Sequence, residues 1–304
     1  MDVDTVWLDG EFVDWDEAQV HVLTHGLHYG TGVFEGVRCY DTVDGPAIFR
    51  WEEHLDRLYQ SAKPYDMEIP YDRETLTHAT KELIRRQDLP SCYIRPIAFY
   101  GYDRLGLNPE GIPVQVAVAV WPWGAYLGEE VIEEGADVTV SSWRKYGSDQ
   151  IPTNAKTTGP YVNSVLASLE ADEGGYTEAI VLNGEGNVAE GPGENLFLVR
   201  DGEIYTTGLA ESILDGITRR SVITLARDLG YTVHDGATIS RGELYTADEL
   251  FFTGTAAEVT PIRSVDDTEI GPGTRGPVTE EIQQTFFDVV EGREDGYDDW
   301  FTEV

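Results

Sequence analysis

The chain has 304 residues, enough to bury a full core in two domains or one large one. Its 56 acidic residues against 21 Lys and Arg give a formal charge of -35, which argues against nucleic acid and anionic membranes as partners, because phosphate contacts need clustered cations. Two cysteines, Cys39 and Cys92, without CxxC spacing rule out a disulfide framework and point to a reducing, cytoplasmic compartment.

The acids are dispersed along the chain, which suits a surface kept soluble in concentrated salt; only 291–304 reads as a solvated acidic end. The first residues carry no basic region or apolar run, so neither signal peptide nor anchor is expected, and no stretch approaches a spanning helix. The chain opens as a hairpin, 6–8 turning through Asp9 and Gly10 into 11–13. Apolar residues at Trp51, Leu55, Leu58 and Ala62 predict a helix over 51–65, and 73–87 repeats the pattern. Residues 93–100 and 114–121, rich in β-branched and aromatic types, read as strands of one sheet.

A connector is expected over 123–133, separating an N-terminal domain (1–122) from a C-terminal one (134–304). Beyond it, strand character resumes at 137, followed by a helix over 161–171 and strands at 179–183 and 195–199. A helix over 217–229 stops at Gly230, and a last helix spans 278–290. No internal repeat or low-complexity segment is present.

Lys156 is one of only four lysines and sits in a turn-rich stretch, IPTNAKTTGPY at 151–161, five positions before Tyr161. A lysine made nucleophilic by burial can form a Schiff base with an aldehyde. Pyridoxal phosphate needs three further parts: a partner for the ring nitrogen, a phosphate cradle, and a donor to the phenolic oxygen. Glu190, in the glycine turn EGPGENLF at 190–197, is a candidate for the first. The cradle has two candidates, 216–219 (GITR) opening a helix and 254–257 (GTAA) following a strand, with Arg57 as a bidentate contact. A GxGxxA match at 184–189 lacks the helix that a dinucleotide site requires. His21, His25 and His28 lie in a glycine-rich stretch with no completing ligand, so no metal is expected.

These blocks together resemble the fold-type IV (class IV) pyridoxal phosphate aminotransferases, and within them the branched-chain amino acid aminotransferases. The resemblance covers nearly the whole chain and also rests on HYGTGVFEGVRCY at 28–40, YIRP at 93–96, PWGAYLG at 122–128 and GTAAEVTPIR at 254–263. It implies an α+β protein with a small N-terminal domain and a larger pseudo-barrel domain, assembled as a homodimer or higher oligomer. It implies Lys156 as the catalytic, cofactor-linked base, Glu190 at the ring nitrogen, Tyr161 at the phenolic oxygen, and Arg57, Ile217, Thr218 and Thr255 at the phosphate.

For substrate, the resemblance implies that Gly254, Thr255 and Ala256 bind the α-carboxylate with Tyr93. The side-chain pocket would be formed by Tyr29, Phe34, Gly36, Trp123, Tyr126 and Gly193, with Leu107 coming from a neighbouring subunit. Arg95 would take the second carboxylate of glutamate, so that one pocket serves both leucine, isoleucine or valine and 2-oxoglutarate in a ping-pong exchange. Ala189 and the pair Thr157-Thr158 depart from the family's common residues and bear on fine specificity. Other activities of the same fold remain open: D-amino-acid aminotransferase, amine transaminase, aminodeoxychorismate lyase, or a non-catalytic cofactor binder.

Overall fold

The computed structural model describes residues 3–124 and 126–304. The chain forms two compact units: Met1–Trp123 with Ala155–Pro160 and Val290–Val304, and Gly124–Asn154 with Tyr161–Val289. This division differs from the expected limits in two later segments, which rejoin the first unit.

The first unit is built on an antiparallel sheet in the order Phe301–Glu303, Gly45–Phe49, Val37–Thr42, Cys92–Tyr100, Val114–Trp121, Thr5–Leu8, Glu11–Asp14, with Gly32–Phe34 added beside Cys92–Tyr100. Strand Cys92–Tyr100 alternates between buried and half-buried positions over much of its length, as a sheet with one covered face requires. The helices Trp51–Ala62 and Arg73–Arg86 place Trp51, Leu55, Leu58, Leu76 and Leu83 at helical spacing in a core shared with Ile94, Val116, Val118 and Val120. Asp72 caps the second helix, accepting the Thr75 N–H at 2.8 Å.

The acidic end is not a solvated tail. Phe301–Glu303 pairs with Gly45–Phe49, Trp300 packs edge-on against Phe49, and the Arg50 guanidinium lies 4.5 Å from the Trp300 ring centre. Two aromatic side chains anchor the segment despite its charge.

The second unit holds a mixed sheet in the order Val188–Glu190, Glu178–Leu182, Ala136–Arg144, Glu258–Val265, Glu249–Gly254, Asn195–Arg200, Glu203–Thr207, Val233–Ala237. Its two ends meet: the Val188 N–H donates to Ile239 O at 2.8 Å and Asn187 bridges Ser240. That contact, made just beyond Val233–Ala237, gives the sheet its pseudo-barrel character. The interior is aliphatic and aromatic, with Val138, Ile180, Leu196, Leu198, Phe252 and Ile262 buried. Helices Tyr161–Gly174, Ile217–Asp228 and Pro277–Val290 belong to this unit. The expected connector at 123–133 includes a short helix, Glu129–Glu134.

Candidate active site

Lys156 reaches its place by main-chain bonds within the first unit. The Phe34 N–H donates to Lys156 O at 3.1 Å, Thr158 N–H to Gly32 O at 2.9 Å, and Gly159 N–H to Gly30 O at 3.0 Å. The Lys156 N–H itself donates to the buried Ser61 Oγ at 2.9 Å, on helix Trp51–Ala62. The segment thus runs as an added strand beside Gly32–Phe34. Gly30 has φ of +65°, and a Cβ there would lie 2.5 Å from Gly159 Cα, so this close approach requires glycine.

Beside the lysine stands an aromatic group. The Lys156 Nζ lies 5.2 Å from the Phe34 ring centre, and the Arg95 guanidinium carbon lies 4.8 Å from the same ring. Arg95 donates to Tyr93 Oη at 3.0 Å, while the Tyr93 ring packs against both Trp121 (5.1 Å between centres) and Trp123 (5.2 Å). The Arg95 Nε is buried with no hydrogen-bond partner among the described residues. Gly36 faces the Tyr93 hydroxyl so closely that any Cβ would collide with it. Phe34, Gly36, Tyr93, Arg95, Trp123 and Lys156 are therefore brought together, and Trp121 joins them though the sequence motifs did not mark it. Tyr29, against His25 on the helix His25–Tyr29, is exposed, and Leu107 is 84% exposed on its loop.

Arg57 is held from behind. Its Nε donates to Glu35 Oε1 at 2.7 Å and its second terminal nitrogen to Oε2 at 2.8 Å, while His54 Nδ1 lies 2.7 Å from Oε2. Glu35 is 0% exposed. Burial alone would raise its carboxyl, but the Arg57 charge and hydrogen bonds, with the His54 bond, override this and lower it to about 2. Burial likewise pulls His54 below the usual imidazole range, against the opposing effect of Glu35. The sequence motifs contained Glu35 without assigning it a task.

The second unit carries the other candidates. Glu190 ends the strand Val188–Glu190, and its turn closes with the Gly191 N–H donating to Glu194 O at 2.7 Å. Its carboxylate takes Lys145 Nζ on Oε1 at 2.6 Å, and Asn195 Nδ2 (3.0 Å) and the Leu214 N–H (3.1 Å) on Oε2. An ionised carboxylate has about four lone-pair directions, so three donors leave room for one more on Oε1. Lys145 is the residue that sequence reasoning passed over. Burial opposes its charge, yet Glu190 holds it above the ordinary lysine range. Tyr161, first residue of its helix, lies within electrostatic reach of Lys145.

Helix Ile217–Asp228 starts at Gly216, which gives no side-chain cap, and Ile217 and Thr218 are buried. Buried N–H groups at an uncapped helix start suit an anion. A Cβ at Gly216 would strike Asn195 Oδ1, so the asparagine that supports Glu190 also fixes the helix entry. Gly254 ends the strand Glu249–Gly254 and Thr255 and Ala256 turn away from it, all three half-buried, and the Gly193 N–H donates to Glu194 Oε2 at 3.0 Å. Tyr126 is exposed. These features fit pyridoxal phosphate: one open carboxylate position for a ring N–H and an uncapped helix start for a phosphate.

The remaining sequence features are structural. The GxGxxA turn joins two antiparallel strands, Glu178–Leu182 and Val188–Glu190. His25 engages Thr31 Oγ1 and Gly106 O, both at 2.7 Å; His28 Nε2 meets Val22 O at 2.8 Å, and His21 stacks on Tyr102.

Comparison with known proteins places this geometry. The family model described as amino-transferase class IV matches residues 32–265. A branched-chain-amino-acid aminotransferase of Pseudomonas aeruginosa is 50% identical over 98% of this chain and 97% of its own length. The crystal structure of the Escherichia coli branched-chain amino acid aminotransferase superposes with a TM-score of 0.96 at 47% identity, covering 99% of each chain. That of the T.th. branched-chain amino acid aminotransferase with pyridoxamine 5'-phosphate gives 0.96 at 50% identity, covering 100% of this chain and 99% of that one. The same enzyme is solved with N-(5'-phosphopyridoxyl)-L-glutamate and with 4-methylvaleric acid. Sequence and fold agree over nearly the full length, and the chain therefore belongs to the class IV aminotransferases, with pyridoxal 5'-phosphate as its cofactor.

Proposed function

We propose that this chain is a branched-chain amino acid aminotransferase, exchanging the amino group between leucine, isoleucine or valine and 2-oxoglutarate. The observation that carries the substrate class is the aromatic group Phe34, Tyr93, Trp121 and Trp123 with one buried, unsatisfied Arg95 donor beside it. Aromatic walls favour an aliphatic side chain through apolar burial, about 25 cal/mol per Å². A carboxylate on the Arg95 side lets the same pocket accept glutamate.

When bound, pyridoxal phosphate supplies an aldehyde that carries the amino group and a ring that accepts electrons from the substrate Cα. Lys156 Nζ would serve as the base that takes and holds the proton removed from the substrate Cα. Glu190 holds the ring-nitrogen proton, Tyr161 donates to the phenolic oxygen, and Arg57, Ile217, Thr218 and Thr255 hold the phosphate. Tyr93 and the N–H groups at Gly254, Thr255 and Ala256 receive the α-carboxylate. Tyr29, Gly36, Trp123, Tyr126 and Gly193 line the side-chain pocket. Leu107, exposed in one copy, serves the pocket of a second copy in a homodimer. The dispersed acidic surface and paucity of lysine support a cytoplasm of high salt.

A panel of L- and D-amino acids with 2-oxoglutarate, run in molar and in dilute salt, tests the reading. Turnover of L-leucine, L-isoleucine and L-valine, lost in Lys156→Ala, is expected; turnover confined to D-alanine would overturn it.

A further inference from the structure

We infer that Lys145 is a positioning residue for the reaction: it holds Glu190 in register and tempers the negative charge that the cofactor's ring nitrogen meets. The inference rests on the reading that Glu190 faces that nitrogen.

Three donors fix Glu190, and they are not equivalent. Asn195 Nδ2 and the Leu214 N–H are neutral and bind Oε2 from one side. Lys145 alone is charged, and it binds the other oxygen, the one with room for a further donor. The lysine side chain is 10% exposed and the carboxylate 6%, so little solvent screens the pair. A ring nitrogen docking at Oε1 would share that oxygen with Lys145. It would then meet a compensated ion pair in place of a bare carboxylate. The Lys145 Nζ also lies 4.8 Å from the Tyr146 ring centre, which limits the directions its stem can take.

Removing the ammonium leaves the bound chromophore beside an uncompensated negative charge, so it should keep its proton to higher pH. The measurement is the pH midpoint of the holoprotein's visible absorption band, recorded without substrate, alongside the dissociation constant for the cofactor. Lys145→Met is expected to raise the midpoint by about one unit and weaken cofactor binding about tenfold. Lys145→Arg, which keeps the charge, is expected to stay at the wild-type midpoint. If Lys145→Met does not load cofactor, Lys145→Gln keeps a donor without charge and should give the same rise.

Glu190→Gln separates the two levels of the claim. A changed midpoint in Glu190→Gln with a wild-type midpoint in both neutral Lys145 variants would overturn the role of Lys145 and leave the Glu190 reading standing. A wild-type spectrum and midpoint in Glu190→Gln would overturn that reading and this inference with it. An equal rise in Lys145→Arg and Lys145→Met would also overturn the inference, because size and not charge would then be the cause.

Discussion

Glu35 grips Arg57 by two nitrogens, at 2.7 and 2.8 Å, from a position with no solvent exposure. The guanidinium is fixed before any anion arrives, so little side-chain freedom is lost on binding. Glu35→Gln leaves a single acceptor oxygen for that fork. The affinity of the apoprotein for pyridoxal phosphate should fall about tenfold, with inorganic phosphate competing more weakly in parallel. Titration of apoprotein followed by absorbance checks this. Unchanged affinity in a folded but less stable variant would reduce Glu35 to a structural support.

Two buried carboxyls make stability respond to pH in opposite directions. Glu35 titrates at about 2, below its unfolded value, so its contribution is complete above about pH 4.5 and is lost as pH falls towards 2. Burial raises Glu178 to about 7 against a single Ala179 N–H bond at 2.9 Å. The folded state therefore holds its proton more tightly than the unfolded chain, and stability declines as pH rises from about 4.5 to 7. Glu178→Gln, neutral throughout, should match wild type at pH 4 and exceed it by roughly 1–3 kcal/mol at pH 8. Urea denaturation at the two pH values is the measurement.

Arg95 should divide the two substrate classes. Arg95→Gln removes the charge beside Phe34 without emptying the aromatic pocket. KM for glutamate and 2-oxoglutarate should rise about 10–100-fold, the worth of a charged hydrogen bond, while KM for leucine moves by less than about threefold. Equal rises for both substrates would show that Arg95 supports the pocket wall and does not read the second carboxylate.

The C-terminal strand should matter for stability although its composition looks soluble. Trp300→Ala removes a buried indole from Phe49 and the Arg50 guanidinium, and should cost about 3 kcal/mol in urea unfolding. A variant as stable as wild type would mean that the segment merely rests on the sheet.

Local signals carried much of this protein. Helical spacing marked Trp51–Ala62, Arg73–Arg86 and Ile217–Asp228, and β-branched runs marked Cys92–Tyr100 and Val114–Trp121. Short strands such as Gly32–Phe34 and Gly45–Phe49 escaped because three to five residues with glycine show no period of two. The acidic C-terminus escaped because one indole packed in a crevice outweighs many surface charges. Lys145 and Glu35 were illegible for a different reason. Each acts through another side chain distant in sequence, and a motif shows which residues can touch a ligand, not which hold them. Lys156, Glu190 and Arg57 stood out by chemistry; their supports became visible only in the fold.

The sheet of the first unit takes Thr5–Leu8 near one end of the chain and Phe301–Glu303 at the other, and receives the Lys156 segment midway. During synthesis, therefore, the part made first is the part finished last. Its sheet stays open along Gly45–Phe49 until Phe301–Glu303 has been made, by which time the second unit has every strand of its own. A nascent chain stalled before Trp300 would present an unpaired edge, open to pairing with another chain, so the risk of aggregation lasts until that short strand is made.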